Sequence, residues 1–392
     1  MTKFSEGLLE KFKPKLIFWI LVALVYTTLF FATDQLGDPL WGDEASFYKT
    51  SQQFSHQLIP TFEQLRDYGE LNTPLPFILF GQIQYLFQGG VFGGRLLNFG
   101  LSIIIAILIG RPRRQHEFAS ILALVGLFLY PYFLWFSTRY YTDIIAAFLT
   151  LLGIIFYLRE LRILSSLVFV LAIAARQYML AFPLAVASHE LLVAIQKKKY
   201  PNFSFWGPAI AAFSILVWFV LFGGLTPPNV VEANPVPIQQ TLFAIAPSHG
   251  LYALASIGLF YVIPEWVLFN RSLNWRASDW RASLTNRKTA IAIGLVSLCI
   301  IFPIPEFGRG VLWNLFGLTS NIGVSPFFLY CGLVVITGWR FSQTNLSLWL
   351  VIYHILIMTK AFPWDKYTLP ILVLLWFLKA HDTSKQAERN DR

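Results

Sequence analysis

Four carboxylates, Asp34, Asp38, Asp43 and Glu44, fall within eleven positions of a 392-residue chain that holds only 21 acids. They follow the first membrane-length apolar run. Acids are used sparingly in a chain this apolar, so a cluster just past a span points to chemistry at the membrane face. A carboxylate there can take a proton from an incoming hydroxyl, which makes Asp43 and Glu44 candidate general bases. An amphipathic helix starting beside them would favour their charged form through its dipole. A solvated acidic loop or a simple helix cap would use the same residues. A third candidate is Asp143, in Ser137-Thr-Arg139-Tyr-Tyr141-Thr-Asp143 at the mouth of a later apolar run. There it would position substrate or a partner arginine.

The elements that must hold these groups follow from composition. Hydrophobic residues make up 56% of the chain and charged ones 13%, with mean hydropathy +0.58. A soluble protein of this length cannot bury so much apolar surface, so the expected class is all-α, a polytopic membrane protein forming a single unit over 1–392. Aromatic residues, 17% of the chain, suit interface belts and a groove for a lipid chain. Cys299 and Cys331 both sit in apolar runs, which excludes a disulfide framework and a cysteine metal site. His56, His249 and His354 lack metal-ligand spacing, so no metal is assigned to histidine and no resident cofactor is assigned; a divalent metal requirement is left open by the sequence. The net charge of +9 sorts by membrane side and does not indicate nucleic acid.

Apolar runs of membrane-span type occupy 16–33, 94–110, 118–136, 143–158, 163–176, 178–195, 206–223, 250–270, 289–304, 322–339, 346–359 and 368–379. The first is expected to be an uncleaved span with the N-terminus in the cytoplasm, because no small-residue cleavage site follows it. Pro74–Phe87 is short and Pro-led, and is expected to lie at the outer interface. About twelve transmembrane helices result, with a first external loop over 34–93 and a cytoplasmic tail over 380–392. Both termini are then cytoplasmic.

In that topology all but eight of the 30 Lys and Arg face the cytoplasm, as the positive-inside rule requires. The eight outside are Lys49, Arg66, Arg95, Arg139, Arg176, Arg309, Lys360 and Lys366. Pairing with local acids would account for each singly. A fixed anion such as a lipid phosphate would account for several together. Ser46–Tyr68 is amphipathic and is expected to give one or two surface helices. Arg176-Gln177 separates two short apolar runs and needs a polar cavity, a bound anion or an interface. The segment 225–249, rich in Pro, is a lid or a spacer. Pro303-Ile-Pro-Glu306-Phe-Gly-Arg309 offers an outer Glu/Arg pair. Asp365-Lys366-Tyr367 stands at the mouth of the last span.

Taken together, these stretches resemble the GT-C glycosyltransferases, polytopic enzymes that take a sugar from a polyprenyl-phosphate carrier. The shared features are the uncleaved first span and the Asp-Glu pair in a large outer loop with surface helices. Gly42-Asp43-Glu44 with Phe47, Arg139-Tyr-Tyr141-Thr-Asp143, Arg176-Gln177 and Asp365-Lys366-Tyr367 look closest to one branch, the dolichyl-phosphoglucose-dependent α-1,2-glucosyltransferases. The chain departs from that branch in three ways. It is shorter, it lacks the histidine that tends to follow Asp-Glu (Tyr48 stands nearby), and it has Lys366-Tyr367 where the branch has Arg-His. Pro74-Leu-Pro76 and Arg95-Leu also resemble bacterial relatives that modify lipid A or proteins, so the location the resemblance implies is the plasma membrane of a prokaryote rather than the endoplasmic reticulum.

The resemblance implies inverting transfer of a hexose, glucose in the branch named, on the outer face. The donor would be a polyprenyl-phosphate sugar and the acceptor a lipid-linked glycan, a lipid or a protein. Asp43, Glu44 and Asp143 would be the catalytic carboxylates. Arg139, Tyr141, Arg176, Gln177, Asp365, Lys366 and Tyr367 would bind substrate, with Arg139, Arg176 and Lys366 on the phosphate. A transporter or flippase for a lipid-linked sugar is the alternative. It calls for charges near mid-membrane and symmetry between halves, whereas these charges gather at one face. A membrane scaffold would not need carboxylates and cations converging on one compartment. A ligase that moves a whole glycan from a lipid pyrophosphate would call for a further large soluble or loop region.

Overall fold

The computed structural model describes residues 2–112, 117–233, 238, 241, 243–269 and 286–390. The arginines of 113–114 and 271–281 and part of the Pro-rich segment 225–249 lie outside these residues. Among the described residues the fold is all-helical. Helices α1 (Thr2–Ala32), α2 (Glu44–Gln53), α3 (Phe62–Arg66) and α4 (Leu75–Phe87) are followed by α5 (Gly90–Gly110), α6 (Glu117–Phe128) and α7 (Pro131–Ser137). Next come α8 (Asp143–Leu158), α9 (Arg162–Ala175), α10 (Ala181–Gln196), α11 (Phe203–Phe213), α12 (Ile215–Phe222) and α13 (Pro228–Ala233). The chain continues with α14 (Pro247–Ile257), α15 (Ile263–Phe269), α16 (Asn286–Ile301), α17 (Val311–Asn321), α18 (Pro326–Arg340), α19 (Leu346–Met358) and α20 (Leu369–Asn390).

Five stretches are long and apolar enough to cross a membrane: Pro14–Ala32, Gly90–Gly110, Gln177–Gln196, Phe203–Phe222 and Pro247–Phe269. A sixth is the pair α6–α7 taken as one bent span. Most other expected crossings are apolar helices shorter than 18 residues, including Asp143–Leu158, Arg162–Ala175, Pro326–Arg340 and Leu346–Met358. The chain is thus an all-α protein of membrane type.

The breaks have local causes. Pro131 forces its predecessor Tyr130 out of the helical region (φ −88°, ψ 107°). The result is a 79° bend between α6 and α7 that turns the chain toward residues 138–143. Arg176 is extended (φ −155°, ψ 131°) and ends α9, so the polar Arg176-Gln177 pair leaves the apolar run at its rim. The amphipathic stretch after Asp43 forms two helices, as expected of it. The second, α3, starts at a reciprocal cap between Thr61 and Gln64. Helix α4 packs on α2 and α5.

The last helix is the axis of the molecule. It packs against α5, α6, α8 and α19, and Leu369 to Leu378 are buried on every side of the helix, the pattern of an element apolar all round. The chain after Ala380 continues this helix to Asn390. Its Lys, Gln, Ala, Glu and Arg are good helix formers.

Candidate active site

The site is built where three loops meet: 34–43, 138–143 and the pair 302–310 with 360–367. The first has an unusual backbone, with Asp34, Gln35 and Leu36 all at positive φ. One buried side chain holds it. Arg95 of α5 is 1% exposed and donates to the carbonyls of Leu36 (3.0 Å), Asp38 (2.6 Å) and Pro39 (3.3 Å). Its Nε and Nη2 also donate to the two carboxylate oxygens of Glu44 at 2.9 and 2.8 Å. Glu44 takes two further bonds, from the N–H groups of Trp41 (3.0 Å) and Tyr140 (2.6 Å). Fully buried and surrounded by donors, Glu44 is a clamp that ties the first loop to the second.

Asp43, its neighbour, points elsewhere. It occupies the N-cap position of α2, yet its side chain makes no cap bond. Its carboxylate is 44% exposed and faces Lys366 Nζ at 3.1 Å. The backbone N–H of Asp43 donates to the Tyr141 hydroxyl at 3.2 Å. Gly42, with φ +61°, makes this turn, and a Cβ there would stand 3.0 Å from the same hydroxyl. Lys366 is buried beneath a set of rings, 3.6 Å from the Trp364 centroid and 5.5–5.6 Å from those of Tyr367 and Tyr141. Rings at this range hold an ammonium in place through their quadrupoles.

Asp43 borders a cleft of about 710 Å³, within the size range of small-molecule sites. Trp41, Trp135, Trp313 and Trp364 form its apolar walls, and Arg139 and Arg309 bring two guanidinium groups to it. Arg139 Nη2 pairs with Asp38 Oδ2 at 2.7 Å. Arg309 has no carboxylate within ion-pair distance among the described residues, Glu306 included; its guanidinium lies 5.5 Å from the Trp364 ring and 5.8 Å from that of Phe362. A backbone bridge, Arg309 N–H to Pro363 O at 3.0 Å, joins the loops that carry Arg309 and Lys366. Asp365 anchors the same junction. Its Oδ2 accepts from Leu312 N–H at 2.9 Å, at the start of α17. Burial pushes its carboxyl up to about 6, against the pull of that N–H. Gly310, at φ +105°, leaves it room, because a Cβ there would fall 1.6 Å from Asp365 Oδ1.

The remaining expected residues form a second cluster. Arg176 Nη1 donates to Asp143 Oδ1, and Arg176 is 3% exposed. Asp143 is fully buried, and its Oδ2 has no partner among the described residues. Arg176 Nε donates to Asn72 Oδ1 at 3.3 Å, and Gln177 donates to the Leu71 carbonyl. Arg176 and Gln177 therefore fix the loop 68–73. Tyr178 and Tyr367 pack edge to face at 5.8 Å, and Arg176 lies over both rings. This stack connects the Arg176–Asp143 pair to the Lys366–Asp43 pair. Arg176, expected on a phosphate, pairs with Asp143 in this structure.

Three residues join the site that sequence reasoning did not assign to it. Arg95 and Arg309 stood out as cations against the charge bias, Arg309 also in a pair with Glu306 and Arg95 in a motif, but neither was given a role in the site. Glu70 carried no signal, being one acid in a polar loop. It is half-buried, accepts from the Ser46 hydroxyl, and feels the charges of Asp43, Arg176 and Lys366. Burial pushes its carboxyl from 4.5 up to about 7; Asp43 adds to this, while Ser46, Arg176 and Lys366 oppose it. The folded chain therefore keeps a proton that the unfolded chain loses, and Glu70 lowers stability progressively as the pH rises through that window. Glu70→Gln, neutral at every pH, is expected to melt higher than wild type at about pH 8 and to lose this advantage near pH 4.5, measured by thermal unfolding in detergent. A difference in Tm that does not change with pH would contradict the assignment.

Among the described residues no three of His, Cys, Asp and Glu converge as a metal site. Compared with protein-family models, with curated proteins and with solved structures, the chain finds no match.

Proposed function

We propose that the chain is an inverting GT-C-type glycosyltransferase with about twelve membrane crossings, several of them short, and that Asp43 is its general base. The observation that carries the reading is the different fate of two adjacent acids. Glu44 is saturated by donors, whereas Asp43 forgoes its cap bond and opens to an aromatic cleft bordered by two guanidinium groups. The acceptor hydroxyl gives its proton to an Asp43 oxygen while its own oxygen attacks the anomeric carbon of the donor. The bond from that carbon to the phosphate oxygen breaks, and the electron pair leaves with the polyprenyl phosphate. That group leaves readily as an anion, so no acid is needed opposite the base. Lys366 orients Asp43. Arg309 and Arg139 meet the developing phosphate charge, a form of stabilisation that often dominates a rate. The tryptophan walls provide flat apolar faces for a sugar ring. The donor hexose is glucose in the branch that the sequence resembles; the outer leaflet of a prokaryotic plasma membrane is the proposed location.

Two results test this. The product of a polyprenyl-phospho-hexose should carry the opposite anomeric configuration to the donor, as read by NMR, and retention would contradict single displacement by the acceptor hydroxyl. Arg309→Ala should lower turnover by about 10²–10³-fold, the usual cost of losing one charge-stabilising donor. Arg309→Lys should recover part of it. Unchanged turnover in Arg309→Ala would remove Arg309 from the phosphate.

A further inference from the structure

A second hollow lies at the far end of the helices that frame the site. Helix α8 starts at Asp143 and ends at Leu158; at 1.5 Å per residue its 16 residues span about 24 Å. Helix α9 returns from Arg162 to Ala175, and α10 runs back down to Gln196. The hollow, of about 420 Å³, is lined by residues at these lower ends and at the start of α11. Arg162, Lys197 and Lys199 border it, and none of the three has an ion pair among the described residues. The carboxylates beside them are fewer and partly engaged. Glu190 accepts from the Tyr157 hydroxyl on the inner wall, and Glu160 sits exposed at a turn with φ +61°. The cavity therefore holds a surplus of positive charge with room for an anionic group.

Its surroundings decide what kind of anion. Ile163, Ile195, Phe203 and Trp206, close by in sequence on the same helix ends, are 66%, 63%, 45% and 53% exposed. Such apolar surface at the end of a span faces acyl chains, and the cations stand where a lipid phosphate would lie. We propose that this hollow binds the headgroup of an anionic phospholipid of the cytoplasmic leaflet, its phosphate on Arg162, Lys197 and Lys199. The inference rests on the membrane placement of the helices and is independent of the transferase reading. The chemistry recognised is a phosphate, and a free phosphate ion is the other source to be separated from a lipid.

The full chain in detergent is titrated with short-chain phosphatidylglycerol, short-chain phosphatidylcholine or inorganic phosphate while Tm is followed. Phosphatidylglycerol is expected to raise Tm by about 2–4 °C and to saturate, with little response to the other two. The triple variant Arg162→Gln, Lys197→Gln, Lys199→Gln should lose the shift. Lys197→Arg with Lys199→Arg, and Arg111→Gln as a basic control elsewhere on the same face, should keep it. A triple variant that responds as wild type does, or no response to phosphatidylglycerol at all, would overturn the site. An equal shift with inorganic phosphate would overturn the lipid as its occupant.

Discussion

Asp43→Asn is expected to lower turnover of a polyprenyl-phospho-sugar by about 10²–10⁴-fold, the usual contribution of a positioned base, with the protein still folded. The fold should survive because Asp43 is 44% exposed and caps nothing. The amide oxygen of asparagine can still accept from Lys366, so geometry is kept while basicity is lost. The loss should fall on kcat, with KM little changed, since the proton moves only in the transition state. Activity equal to wild type would take the base role away from Asp43. Glu44 offers no easy replacement, because its two oxygens already take four hydrogen bonds.

Arg95→Ala is expected to cost about 3–5 kcal/mol of stability, the range for removing one partner of a buried ion pair. The change leaves the Glu44 carboxylate buried without its cation and strands the carbonyls of Leu36, Asp38 and Pro39. The loop whose left-handed residues these bonds hold in place should loosen, and with it the turn that presents Asp43. Thermal unfolding in detergent, together with the yield of monodisperse protein, measures the effect. The Tm of Arg95→Ala should drop by far more than that of Arg66→Ala, an exposed arginine at the end of α3. Equal melting would mean that the clamp does not hold the loop.

These two residues show how far the sequence could be read. The acidic loop, the two helices after Asp43 and the interruption at Arg176-Gln177 are legible, because each is a local contrast against an apolar background. The division of labour between Asp43 and Glu44 is not. One step at the entry of a helix turns a side chain by about 100°, and which of the two acids faces Arg95 depends on a helix fifty residues later. Arg309 meets Lys366 through a backbone bridge between loops over fifty positions apart, which no local pattern records. A partner arginine for Asp143 was one of two expectations, but which arginine was not legible, because spacing does not say that Asp143 and Arg176 face each other. Span number is blurred for a different reason. Short apolar runs such as 143–158 and 163–176 fall below the roughly 20 residues that a full crossing needs, and packing decides how they sit.

The most direct measurement is release of polyprenyl phosphate from a panel of polyprenyl-phospho-hexoses by the purified chain in liposomes, with mixed lipid acceptors present. The account predicts release with one donor, dependent on acceptor, and its loss in Asp43→Asn. Intact donor recovered on the opposite leaflet without any release would contradict it, and would make the chain a flippase.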